Sequence, residues 1–155
     1  MKYKERCSAL MVAALVMQLT VAAQERRIEK SELPAAVQKA MEQETAGLTI
    51  RGYSSEVEDG QQEYEVETVK NGHTRDVSFA PDGRVLEEEE QVELTHLPTK
   101  VGEALAQKAG TGKIIKIESI RKKGKLVAYE AKGNKGGKRF EIQVGPEGES
   151  LAHEE

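Results

Sequence analysis

The chain has 155 residues, of which 32% are charged and 4% aromatic, with a formal net charge of −4, one cysteine and no tryptophan. That length can bury a core as one compact domain or as two small lobes sharing an interface. A lone cysteine excludes a disulfide framework, and an acidic chain poor in aromatic platforms is a poor match for nucleic acid.

Residues 1–23 read as an export signal. Lys2, Lys4 and Arg6 form a positive start, Ser8 to Met17 an apolar stretch, and Val21-Ala22-Ala23 a small-residue cleavage site. Gln18 and Thr20 interrupt the apolar stretch, which falls short of the roughly 20 residues a spanning helix needs. The spacing therefore predicts cleavage between Ala23 and Gln24, a periplasmic or secreted protein, and no membrane association afterwards. Cys7 leaves with the leader. The remaining chain carries 20 basic and 26 acidic residues, a balance of −6, and no thiol nucleophile.

Beyond the leader, Ser31 reads as an N-cap, Pro34 as a first-turn residue, and Leu33, Val37 and Met41 as the apolar stripe of a helix closed by Gly47. Leu48 to Val57 reads as a strand with a bulge at Gly52. Glu63 to Val69 alternates, with Tyr64, Val66 and Thr68 on one face and Glu63, Glu65 and Glu67 on the other. Asp59-Gly60 and Asn71-Gly72 are hairpin turns, because glycine accepts positive φ at no steric cost. A strand carrying Val77 and Phe79 follows, then the turn Pro81-Asp82-Gly83, then a strand over Arg84–Glu90.

The rest of the chain repeats this order at an offset of 64 to 65 positions. Leu33-Pro34 falls on Leu97-Pro98, Val37 on Val101, Tyr64-Glu65 on Tyr129-Glu130, and Pro81 with Gly83 on Pro146 with Gly148. The second copy predicts a helix on Leu97, Val101 and Leu105 and strands near 113–120, 126–132, 138–144 and 149–154. A period this long fits a duplicated module rather than a solenoid unit. The expected fold is α+β: two tandem repeats, residues 24–94 and 95–155, each a helix packed on its own four-stranded antiparallel sheet with the other face open. Neither copy is large enough to be robust alone.

These residues resemble a known family. The helix with Leu-Pro and Ala, the Tyr-Glu-Val strand and the Pro-Asp-Gly-Arg-Val-Leu ending are similar to the PepSY-like domains of exported bacterial proteins. Tandem copies resemble the fold of the β-lactamase-inhibitor protein. The resemblance covers about Ile28 to Glu155 and implies a role in holding or inhibiting a protein partner.

Catalytic patterns are absent from the sequence: there is no G-x-S-x-G, no Walker motif and no H-E-x-x-H, and His73, His96 and His153 are far apart. No enzyme activity, cofactor or dedicated metal site is expected. The run Glu87 to Glu90 reads as a solvated edge that discourages strand addition. Its alternative is a cation site completed by Glu93 or Asp59, since hard cations want several oxygens at once. Residues 31–94 carry 5 basic and 16 acidic residues, residues 95–155 carry 12 and 8. Such polarity bears on association and steering.

The strand parity sends Tyr64, Phe79, Tyr129 and Phe140 toward the helices and leaves Glu63, Glu65, Glu67, Asp76, Glu130 and Glu141 on the open faces as candidate partner-binding residues. The sequence thus predicts an exported, non-catalytic, inhibitor-like module that engages a protein or peptide, one of basic character, in the cell envelope. Its alternative is a calcium-like cation bound by the acidic first repeat.

Overall fold

Tight two-residue turns set the architecture. Asn71-Gly72 and Lys123-Gly124 both hold positive φ at both positions (54° and 87°; 53° and 74°), the backbone that matches the twist of flanking antiparallel strands. The computed structural model describes residues 25–58 and 60–153, so the leader, the Ala23–Gln24 cleavage point and Asp59 lie outside the described residues. Its strands are β1 (Arg26–Ile28), β2 (Thr49–Glu58), β3 (Gln61–Lys70), β4 (His73–Phe79), β5 (Val85–Gln91), β6 (Lys113–Lys122), β7 (Lys125–Lys135) and β8 (Lys138–Val144). Two helices, α1 (Ala35–Glu44) and α2 (Thr99–Ala109), precede β2 and β6. No helix among the described residues is long and apolar enough to cross a membrane.

All eight strands form one antiparallel sheet in chain order. This corrects the expectation of two repeats each with its own four-stranded sheet. β5 pairs with β4 on one side and β6 on the other, from Glu87↔Lys122 to Gln91↔Glu118, so the sheet runs unbroken through the junction. The strand expected over 149–154 is also missing, since residues 149–153 form no strand. The physical difference is pairing. β5 is held on both sides, whereas the described residues offer no strand to flank 149–153 on the far side from β8, and Ser150, Ala152 and His153 are exposed.

The helix starts also differ from expectation. Ser31 sits in a 3₁₀ turn over Lys30–Glu32, and α1 begins after Pro34. A residue before proline is driven out of the α region, and Leu33 is accordingly extended at φ −67° and ψ 139°. Pro98 does the same for α2. The expected bulge in β2 is present as a register shift between Ile50 and Gly52.

Both helices lie on one face and build two adjoining cores. Val37 and Met41 of α1 pack with Leu33, Val66, Val77 and Phe79, with Tyr64 against them. Val101 and Leu105 of α2 pack with Ile117, Ala131 and Val144, with Tyr129 against them. Each helix is tied to the sheet at both ends. Arg75 donates to the Glu44 carbonyl at 2.8 Å, and Lys108 donates to the Gln143 carbonyl at 2.9 Å. At the other ends, Gly83 and Gly148 press against the first turns. A Cβ at Gly83 would stand 2.6 Å from the Ala36 carbonyl oxygen, and one at Gly148 would stand 2.6 Å from that of Lys100. Both glycines hold positive φ, 85° and 82°.

Candidate functional site

Strand alternation sends every second side chain of the sheet away from the helices. On β3 these are Glu63, Glu65 and Glu67, and pairing sets beside them Glu56 and Ser54 of β2 and Ser78 and Asp76 of β4. Register then places Glu87 opposite Ser78 and Glu89 opposite Asp76 on β5. The result is a depression of about 70 Å³ lined by Glu56, Glu58, Glu63, Glu65, Asp76, Ser78, Glu87 and Glu89.

Crowding and burial mark these acids electrostatically. Burial pushes the Glu65 carboxyl up to about 7, with Asp76, Glu25 and Glu67 adding repulsion and the Ser54 hydroxyl opposing. Burial likewise pushes Glu89 up to about 8, opposed by Lys132 and reinforced by Glu118, Glu130 and Glu87. Burial is also the leading cause of the upward shifts at Glu56, Glu63, Asp76 and Glu87. Charged carboxylates that lose water without gaining enough counter-charge hold their protons more tightly.

Next to the depression lies a second polar cluster. Lys132 of β7 brings its ammonium 2.9 Å from Glu130, 3.1 Å from Glu118 and 3.5 Å from Glu89. Burial works against its charge, and the three acids more than compensate, holding Lys132 above the ordinary ammonium range. Lys116 makes a second ion pair to Glu118, and Gln143 donates to Glu130 at 2.9 Å. Glu118 is 1% exposed, and its Oε2 accepts no well-angled hydrogen bond although Lys132 stands within ion-pair range. This cluster holds a lysine at its centre, whereas at the depression the cations stand along the β5 side, Lys122 at 3.3 Å from Glu87 and Lys132 at 3.5 Å from Glu89.

All six candidate residues lie on the open face, but the structure does not gather them into one patch. Glu63, Glu65 and Asp76 meet in the acidic depression. Glu67 pairs with Arg27 at 2.7 Å toward the β1 end. Glu130 is buried in the Lys132 cluster. Glu141 is exposed beside Lys116, Lys132, Asn134 and Phe140 in an open groove of about 490 Å³.

Sequence reasoning singled out Glu87 and Glu89 but placed them wrongly, and it missed Glu118, Lys116 and Lys132. The run Glu87 to Glu90 is not a solvated edge, because β5 is an interior strand. Glu87 and Glu89 face the depression, while Glu88 points to the helix side and accepts from Arg75 at 2.7 Å. Nor does Glu93 complete a cation site there; it pairs with His73 at 3.2 Å. The available signal was spacing. Lys116 and Glu118, like Glu130 and Lys132, stand two apart and so share a face.

No family model matches the sequence, and no curated protein matches it. Solved structures do. The chain is similar to a candidate periplasmic protein from Bacteroides eggerthii, with 22% identity, TM-score 0.60, and coverage of 76% of this chain and 85% of that one. A BLIP-like protein from Bacteroides fragilis matches with 20% identity, TM-score 0.54 and coverage of 79% and 85%. A DUF2874 family protein from Bacteroides ovatus matches with 18% identity, TM-score 0.57 and coverage of 76% and 84%. These likenesses establish a shared, BLIP-like fold.

Proposed function

We propose that the protein is an exported, non-catalytic binding module, PepSY-like in sequence and inhibitor-like in mode, that engages a basic protein or peptide of the cell envelope through its open sheet face. One observation carries this reading: seven carboxylates converge on the depression between β2 and β5, and burial raises two of them to about 7 and about 8. A lysine or arginine from a partner would add counter-charge beyond what Lys122 gives Glu87 and Lys132 gives Glu89. The BLIP-like and candidate periplasmic neighbours support the inhibitor-like mode and the export.

Binding of this kind should weaken with salt, because the Debye length falls below about 8 Å above physiological ionic strength. It should strengthen as pH rises from 6 to 9, since a cationic partner favours ionised Glu65 and Glu89 and expels their protons. Affinity capture from an envelope fraction, with mass spectrometry, tests the reading. Combined Glu56→Lys, Glu58→Lys and Glu63→Lys should remove the captured protein with little change in melting, because Glu58 is exposed and Glu56 and Glu63 are half-buried among like charges whose repulsion the lysines relieve. A partner that survives both the triple reversal and high salt would overturn it.

A divalent cation is the second reading, favoured by the oxygens of Glu89, Glu118 and Glu130, which lie within 4.8 Å of one another. Several oxygens at close range suit calcium. Here the Lys132 ammonium already stands among them, so a cation would have to displace it. A calcium-dependent rise in melting that Glu118→Gln abolishes would support this reading, and no shift at millimolar calcium would reject it.

A further inference from the structure

We infer that the outer edge of β8 pairs with the same edge of a second copy of this chain, joining two eight-stranded sheets into one across a two-fold axis.

Within the first half of the chain, the outer edge of β4 is covered by β5. The corresponding edge of β8 has no strand beside it among the described residues, because β8 ends the sheet and residues 149–153 form none. Which backbone groups point outward follows from the hairpin. Gly136-Gly137 is a two-residue loop closed by Lys135↔Lys138, and both glycines hold positive φ. In such a hairpin the closing residues exchange hydrogen bonds, so alternate residues from Arg139 onward turn their N–H and C=O groups away from β7. An independent contact agrees. The Gln143 carbonyl, two positions beyond Glu141, accepts from Lys108 at 2.9 Å. That bond takes up the outward carbonyl at one end and leaves those of Arg139 and Glu141 presented to solvent.

Charge chooses the occupant and the register. Both side chains are exposed, and neither has an ion-pair partner among the described residues. A second β8 running antiparallel, with Phe140 opposite Phe140, sets Arg139 against Glu141 of the second copy, and Glu141 against its Arg139. Both pairs then fall on outward-directed positions, so each exchanges two backbone hydrogen bonds as well as an ion pair. Phe140 meets its counterpart on the helix side, where its ring already lies over Gly133. Moving the two-fold axis by one residue toward either end, a slip of two residues between the strands, sets Glu141 against Glu141 or Arg139 against Arg139, which opposes like charges across the seam. An isologous contact of this kind closes on itself as a dimer. It also keeps both open faces on the same side of the joined sheet, uncovered.

Sedimentation velocity on the chain as purified after export, from low micromolar to several hundred micromolar, tests the inference. A monomer–dimer equilibrium with no larger species is expected. Glu141→Arg or Arg139→Glu alone should weaken dimerisation at least about tenfold, because each creates two like-charge pairs. The double swap R139E/E141R should restore it, which distinguishes this register from a merely nearby contact. Glu141→Pro should also abolish it while leaving the melting temperature nearly unchanged, since the N–H removed points away from β7. A wild type that stays monomeric throughout would overturn the inference. So would singles that dimerise like wild type, a double swap that remains monomeric, or growth beyond a dimer with concentration.

Discussion

Gly83→Ala and Gly148→Ala should be among the most destabilising one-methyl changes available to this chain. Two effects add at each site. A non-glycine residue held at φ near 85° or 82° is strained by about 1–2 kcal/mol. The new Cβ also stands 2.6 Å from a helix carbonyl oxygen, that of Ala36 or Lys100. That oxygen is backbone in the first turn of a packed helix, so relief requires moving α1 or α2 against its core, at about another 1–2 kcal/mol. The expected loss is about 2–4 kcal/mol, or roughly 6–16 °C in melting temperature for a chain of this size. Gly124→Ala is the control. Its φ is 74°, yet nothing lies within 4 Å of its Cβ position, so it should register strain alone. The entropy that alanine removes from the unfolded chain is common to all three variants and cancels in the comparison. Thermal unfolding by circular dichroism is sufficient. If Gly83→Ala and Gly148→Ala fall no further than Gly124→Ala, the turns do not brace the helices and the reasoning fails.

Two further outcomes follow from the sheet. With Glu89 raised from 4.5 to about 8, the native state holds a proton that the unfolded state releases, so this contribution is complete below about pH 4.5 and is lost as pH rises through about 8. Glu89→Gln should therefore melt near the parent at pH 4.5 and above it, by about 1–3 kcal/mol, at pH 9, with Lys132 still paired to Glu118 and Glu130; a variant less stable than the parent at pH 9 would refute this. Fragments 24–94 and 95–155 should each be partly unfolded alone, because separation strips β5 and β6 of a shared ladder and each core is small; two sharp, independent melts would show that the junction contributes nothing.

Local chemistry was well written into the sequence. Asn71-Gly72 declares its turn because few other residue pairs tolerate that backbone, and Tyr64, Val66 and Thr68 declare a face because a strand has a period of two. The helix stripes at Val37 and Met41, and at Val101 and Leu105, were equally plain. What periodicity cannot carry is the identity of a strand's second neighbour. Glu87 and Glu89 look solvated as a run of like charge, and become half-buried only once β6 is laid beside them with Lys122 at 3.3 Å from Glu87. Glu118 is the extreme case. Lys116-Ile117-Glu118 sets a lysine and a carboxylate on one face but does not indicate that the carboxylate is 1% exposed, because the second ammonium beside it, that of Lys132, comes from β7. The missing strand after Gly148 has the same origin, since its twin β5 is held by β6 and residues 149–153 have no such partner among the described residues.

The bracing of each helix at two ends has a consequence for recognition. With its N-terminal turn against Gly83 or Gly148 and its C-terminal end held by Arg75 or Lys108, neither helix can slide along the sheet without breaking a contact at one end. A sheet whose backing cannot shift keeps its twist, and so keeps the spacing of the carboxylates on its other side. A ligand arriving there meets a surface already in its final shape and gives up little of its binding energy to ordering the receptor. Loosening one brace, by Arg75→Ala for instance, would then be felt as a slower, weaker capture on a face that Arg75 never touches.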